Sequence, residues 1–203
     1  SNFQTSNCEI IHSMFSGCTS LKSIDISNFD ISKVTNMNSM FSNCENLETI
    51  EIPSSVKKIG ESAFYRTSIS SIVIPDGLET ISSWAFENCQ LLKNIQLPEG
   101  LKQISYGAFY RCKQLEEIEI PDSVKPVYDE WGDQINEVIG NYVFYGCSSL
   151  KRVKLPAELE RISESMFSGC TSLKDITLPE TVKYIGNNAF YECESLGSLR
   201  LPE

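Results

Sequence analysis

Histidine occurs once in this chain, at His12. A single imidazole leaves no nucleophile-and-base set from which acyl or phosphoryl transfer could be assembled, so no enzyme activity is expected. His12 reads as a surface residue. Positive charge is also short: 17 Lys and Arg face 27 Asp and Glu, a net of −10. That balance opposes nucleic acid or an anionic membrane as the main ligand. No apolar run approaches the ~18 residues of a membrane span, so membrane insertion by this segment is not expected. The eight cysteines contain no C-x2-C pair, the spacing a zinc site needs. No motif calls for a cofactor, and low-complexity segments are absent.

What is present is a period. Phenylalanine stands at Phe15, Phe41, Phe64, Phe86, Phe109, Phe144, Phe167 and Phe190, in steps of 26, 23, 22, 23, 35, 23 and 23 residues. Such a period predicts a stack of similar coils in place of a globule with one centre. The unit reads [A/M]-F-x-x-C-x-x-L-x-x-I-x-[I/L]-P-x-x-[L/V]-x-x-I-[G/S], as in residues 40–62 and 85–107. Its L-x-x-I-x-L stretch alternates apolar and polar at the end and predicts a short strand. Proline closes that strand at Pro53, Pro75, Pro98, Pro121, Pro156, Pro179 and Pro202, because it has no N–H to donate. Pro-Asp-Gly at 75–77 and Pro-Glu-Gly at 98–100 suit tight turns. The following segment, VKKIG at 56–60 for example, is expected to be extended. A-F-x-x-C should then turn the chain back through a 3-10 turn. One coil buries little alone, but stacking sets Phe over Phe and Ile over Ile and makes the core continuous.

The same alignment places charge. The central outward column of the strands is Asp25, Glu51, Val73, Gln96, Glu119, Lys154, Thr177 and Arg200, acidic in its first half and basic in its second. LEEIEI and LKRVKL should oppose Glu116 to Lys151, Glu117 to Arg152 and Glu119 to Lys154. Two readings apply: cross-strand pairing that fixes register, or a bipolar surface that orients a charged partner. The first is favoured. Seven cysteines, Cys18, Cys44, Cys89, Cys112, Cys147, Cys170 and Cys193, follow a Phe by three residues, and only the third unit lacks one. A ladder at one phase predicts small buried free thiols ahead of disulfides or a metal, since parallel side chains give the wrong torsion for bridging.

One step is long. Twelve residues, Pro126 to Glu137, enter between Lys125 and Val138. Tyr128, Trp131, Ile135 and Val138 have the spacing of an apolar helical stripe, with Asp129, Asp133 and Glu137 on another face and Gly132 weakening the helix. The insertion either lies over the solenoid edge with Trp131 buried, or protrudes and anchors a partner through Tyr128 and Trp131. Calcium binding by its acids is disfavoured, because the regular ligand spacing is missing. The candidate partner-binding residues are therefore Tyr128, Asp129, Glu130, Trp131 and Asp133, with Glu119, Lys154 and Arg200 on the strand face. Tyrosine also follows the repeat Phe at Tyr65, Tyr110, Tyr145 and Tyr191. With Trp84 and Tyr142, Tyr110 and Tyr145 could form a sugar-stacking patch, though repeat consensus accounts for them more simply.

AFENCQLLKNIQLPEGLKQIS and MFSGCTSLKDITLPETVKYIG resemble the repeats of BspA-like leucine-rich-repeat proteins of bacterial surfaces, and SNFDISKVTNMNSMFSNCENL resembles their 26-residue variant. The likeness covers nearly the whole chain except the long step. It implies a curved leucine-rich-repeat solenoid, secreted or displayed on a cell surface, of a kind linked to adhesion and to host and matrix proteins, with no catalytic residues. The expected fold is α/β in class but strand-dominated: one right-handed solenoid domain over 1–203, of about eight coils. A parallel sheet should line the concave face, with 3-10 turns opposite. The sequence starts in mid-repeat and ends just after a strand, so a piece of a longer protein is expected. The expected function is non-catalytic protein binding at a cell surface, hence adhesion or host and matrix interaction. The alternatives are a structural spacer and a carbohydrate-binding module.

Overall fold

Residues 11–26, 37–128, 130–131 and 138–201 are described by the structure, a computed structural model. The runs at 173–178 and 196–201 are joined by a bridge between Thr177 and Arg200; most L-x-x-I-x-[I/L] runs form a strand of two or three residues, and a second short strand follows most of the proline turns. In chain order these are β1 (Ser23–Ile24), β2 (Thr49–Ile50), β3 (Lys58–Ile59), β4 (Ser71–Val73), β5 (Thr80–Ile81), β6 (Asn94–Gln96), β7 (Gln103–Ile104), β8 (Glu117–Glu119), β9 (Arg152–Lys154), β10 (Arg161–Ile162) and β11 (Tyr184–Ile185). All pairings are parallel, and they join each coil to the next. The chain is thus a strand-dominated parallel solenoid, without helices among the described residues.

Two ladders run along it. The first is the order β4-β6-β8-β9, preceded by β1-β2 and joined to it by the bridge between Glu51 and Val73. The second is β3-β5-β7, continued by the bridge between Ile104 and Ile139 and, further on, by β10-β11. The sequence pattern predicts one sheet. The second exists because VKKIG and its counterparts are extended with an inward Ile, and their backbone groups need partners that only the adjacent coil can supply. Register follows like residues: Ile72 lies beside Ile95, Ile118 beside Val153, and Ile59 beside Ile81.

The corners are chains of turns in place of a regular 3-10 turn. In one of them the N–H groups of Ala63, Tyr65 and Thr67 bond three residues back, to Gly60, Ser62 and Phe64, while those of Ser62, Phe64 and Arg66 bond to Ser83, Ala85 and Glu87 of the next coil. Alternate N–H groups therefore close the corner and stitch it to its neighbour. Two residues four apart take a left-handed backbone in each corner, such as Ser62 and Arg66 or Gly107 and Arg111, which interrupts any helical run.

Inside the corners the eight repeat phenylalanines form one continuous column. Neighbouring ring centroids are 5.3–5.7 Å apart and planes agree within 15°. That spacing is an offset stack, the arrangement the ring quadrupole favours over direct overlay. Phe41, Phe86, Phe109, Phe144 and Phe167 are wholly buried.

The thiols beside them are free as expected, and Cys44, Cys89, Cys112, Cys147 and Cys170 are buried, whereas Cys18 is exposed and Cys193 half-buried. Each buried thiol donates to the carbonyl of the repeat Phe one coil earlier, as Cys112 Sγ does to Phe86 O at 3.1 Å and Cys147 Sγ to Phe109 O at 3.1 Å. Thr67 holds the cysteine place in the third unit and donates to Phe64 O at 3.1 Å.

Candidate functional site

Three surfaces carry groups that a ligand could use. The first is the outer face of the β4-β6-β8-β9 sheet. Register there sets Glu117 beside Arg152 and Glu119 beside Lys154. The expected ion pairs all form: Lys151 Nζ lies 2.7 Å from Glu116, Arg152 Nη2 3.3 Å from Glu117, and Lys154 Nζ contacts Glu119. The Lys151 hydrogen bond holds the Glu116 carboxyl below the usual carboxylate range, and the Glu119 carboxylate raises the Lys154 ammonium. These side chains are about half to four-fifths exposed, so the pairs are screened and set register more than stability. A shallow groove of about 560 Å³ runs over them, lined by Gln96, Glu99, Glu117, Glu119, Arg152 and Lys154 among others. Val73, 77% exposed, interrupts the column between Glu51 and Gln96. Arg200 is bridged to Thr177, apart from the Glu119–Lys154 pair.

The second surface is the insertion, of which 126–128 and 130–131 are described; Asp129 and Asp133 lie outside the described residues. Tyr128 hydrogen-bonds through its phenol to the Glu160 carboxylate, which raises the phenol above its ordinary range. Lys183 Nζ, 2.8 Å from the same carboxylate, together with Tyr128 keeps Glu160 below its ordinary range. Tyr128 is thereby tied to the coil that contributes β10. Beyond it Trp131 is 79% exposed, with Tyr128 at 44% and Val127 at 49%. Glu130 is exposed beside it. Val138, by contrast, is buried, and Ile139 is bridged to Ile104. Of the stripe's described members, Tyr128 and Trp131 are exposed and Val138 is buried, so these three do not share a face; Gly132, Ile135 and Glu137 lie outside the described residues. The reading with Trp131 buried does not hold, because that indole is largely open to solvent. A pocket of about 210 Å³ opens beside the insertion, lined by Pro126, Val138, Ile139, Leu159, Glu160 and Arg161 among others. The Arg161 guanidinium lies over the Tyr184 ring at 4.9 Å.

The third surface is a row of rings on three successive corners. Trp84 meets Tyr106 edge-on at 4.7 Å and Tyr110 at 5.5 Å; Tyr106 meets Tyr142 at 5.2 Å; Tyr110 stacks on Tyr145 at 4.8 Å. All five are half-buried. Tyr106 was not anticipated from the sequence. Its place holds Glu61, Ser83, Asn141 and Glu164 in other units, so only comparison of the units with one another could have singled it out.

Among the described residues no group of three His, Cys, Asp or Glu is placed to hold a metal ion, and no helix is long and apolar enough to cross a membrane. Burial pushes the Cys89 and Cys147 thiols up to about 12. Protonated thiols of this kind are poor nucleophiles.

A family model for the BspA type leucine rich repeat region matches residues 8–131 and 134–203, in six copies. A solved leucine-rich repeat protein from Bacteroides ovatus is 37% identical, with a TM-score of 0.73, over 81% of this chain and 40% of its own. The T. pallidum leucine rich repeat protein is 30% identical, with a TM-score of 0.73, over 86% of this chain and 76% of its own. A leucine rich cell surface protein from Faecalibacterium prausnitzii is 26% identical, with a TM-score of 0.52, over 91% of this chain and 61% of its own. The chain thus spans two fifths of the length of the Bacteroides ovatus protein. No curated protein matches it.

Proposed function

The chain belongs to the BspA-type leucine-rich repeat family, and from that premise we propose that it is a non-catalytic binding solenoid of a bacterial cell surface, acting in adhesion to host or matrix proteins. The observation that carries the reading is the placement of Trp131 and Tyr128. An indole 79% exposed next to a phenol tethered to Glu160 is an aromatic anchor on a rigid support. Interfaces draw their affinity from such anchors, and Trp and Tyr lead the residues that do so. A right-handed coil with the charged sheet on its concave side would add many modest contacts, with Glu119, Lys154 and Arg200 orienting the partner. The spacer reading has one observation in its favour: the charges of that sheet already satisfy one another across β8 and β9.

The test is capture of extracellular-matrix proteins by the chain and by its Tyr128→Ala, Trp131→Ala double variant. The proposal expects capture to weaken at least about tenfold while the melting temperature stays unchanged. Unaltered capture, or a fall in melting temperature as the only effect, would show that the insertion serves packing.

A further inference from the structure

The corner rings break the rule of their own repeat. Two residues before each repeat Phe, the backbone is left-handed, with φ between 50 and 60°. Other units place Ser39, Ser62, Ser165 or Asn188 there, residues that are small or tolerate that conformation. Trp84 and Tyr142 occupy the same position at φ 60°, where a bulky side chain is an outlier. Between them, in the intervening unit, stands Gly107. A Cβ on Gly107 would lie 2.3 Å from the Trp84 indole, so the missing side chain is the space the indole fills. Nothing in the coil requires this set, since its neighbours close the same corner with serine. Bulky residues held in a sparsely populated backbone region point toward function.

The groups left open define the ligand. Only the Tyr142 hydroxyl is engaged, donating to Glu164 at 2.9 Å; the Trp84 indole N–H and the hydroxyls of Tyr106, Tyr110 and Tyr145 have no hydrogen-bond partner among the described residues. The rim carries Arg111, whose guanidinium lies over the Tyr110 ring at 5.2 Å, and Glu87, set between Arg66 and Arg111. With Glu164, two cations and two anions cancel, so the rim has no charge with which to select an ionic ligand. The whole chain, at −10, repels polyanions. Area decides between a protein and something smaller. Five half-buried rings of about 200 Å² each expose at most a few hundred Å², whereas a stable protein interface needs roughly 800 Å² per partner. Steps of 4.7 and 5.2 Å from Trp84 to Tyr106 to Tyr142 are close to the length of one pyranose unit.

We propose that Trp84, Tyr106, Tyr110, Tyr142 and Tyr145 form a binding platform for a neutral oligosaccharide of two or three hexose units. Tyr110 and Tyr145 stack on each other and Arg111 lies over Tyr110, so these two offer their hydroxyls, while the polarised C–H face of a pyranose meets the rings of Trp84, Tyr106 and Tyr142. Its hydroxyls take the open indole and phenol donors and the carboxylates of Glu87 and Glu164. This inference uses none of the insertion's residues and does not depend on the adhesion reading.

Only two tryptophans are present, so a Trp131→Phe background makes Trp84 the sole indole reporter. The chain is titrated with neutral tetrasaccharides of glucose, mannose, galactose and N-acetylglucosamine. The proposal expects at least one to change Trp84 emission saturably. Tyr142→Ser, which installs the residue other units carry, should weaken that binding at least about tenfold without lowering the melting temperature. Gly107→Ala should weaken binding as well by displacing the indole, at some cost in stability from its left-handed backbone. No response to any sugar overturns the proposal, as does a response that Tyr142→Ser leaves intact. Loss of stability in Tyr142→Ser without loss of sugar binding would make the rings packing. Weakened capture of a matrix protein by Tyr142→Ser with no sugar response would assign the surface to a polypeptide and also overturn it.

Discussion

At the scale of single residues the informative side chain is cysteine. Its place in the repeat is explained by one bond, from the thiol to the carbonyl of the Phe in the preceding coil, repeated at Cys44, Cys89, Cys112, Cys147, Cys170 and Cys193. The Phe86 carbonyl also accepts the Cys89 N–H, so Cys112→Ala removes one of its two donors, about 0.5–1.5 kcal/mol, together with the packing of the sulfur, and Cys112→Ser should cost less, read from denaturant melts. Burial has a consequence for pH as well. Cys89 and Cys147 are pushed up to about 12, while the unfolded chain's thiols ionise near 8.5. Their protonated, buried form contributes its full stability below that lower value and loses it as pH climbs toward the upper one. Stability should be level from about pH 6 to 8 and then fall by roughly 1.4 kcal/mol per pH unit for each such thiol. Native alkylation followed by peptide mapping should find Cys18 modified and Cys89 and Cys147 protected. Early modification of Cys89 would contradict this account.

At the scale of the coil, one corner depends on the next. Phe109 is wholly buried between Phe86 and Phe144, and Phe109→Ala should cost about 3–5 kcal/mol. Gly140 shows how close the coils lie: a Cβ there would come 2.4 Å from the Tyr106 backbone nitrogen. Gly140→Ala must push two backbones apart, and thermal melts should show a loss comparable to overpacking a core, about 1–3 kcal/mol. Much of the coil could be read from residues alone. The Phe period announced the stack, the prolines marked the strand ends, and the Glu116–Lys151 and Glu119–Lys154 pairs followed from aligning two units. The second ladder could not be read this way, because VKKIG carries too few apolar positions to declare a strand; its partners come from the neighbouring coil. The left-handed backbone at Trp84 and Tyr142 was equally hidden, since no residue type there signals a positive φ.

At the scale of the whole molecule, a uniform frame carries local departures, and the departures hold the candidate ligand chemistry. The Phe column and the two ladders make the coils nearly interchangeable, so a side chain that breaks the pattern is not needed for closure. Trp131 is largely exposed, and the spacing of Tyr128, Trp131 and Val138 does not mark one face, because Val138 belongs to the core of the coil that follows. The most direct measurement is collisional quenching of Trp131 fluorescence by iodide in a Trp84→Phe background, with and without a captured matrix protein. The account predicts quenching close to that of free indole in the isolated chain and protection once the partner is bound. An indole already shielded in the isolated chain, or one equally quenched in the complex, would contradict it.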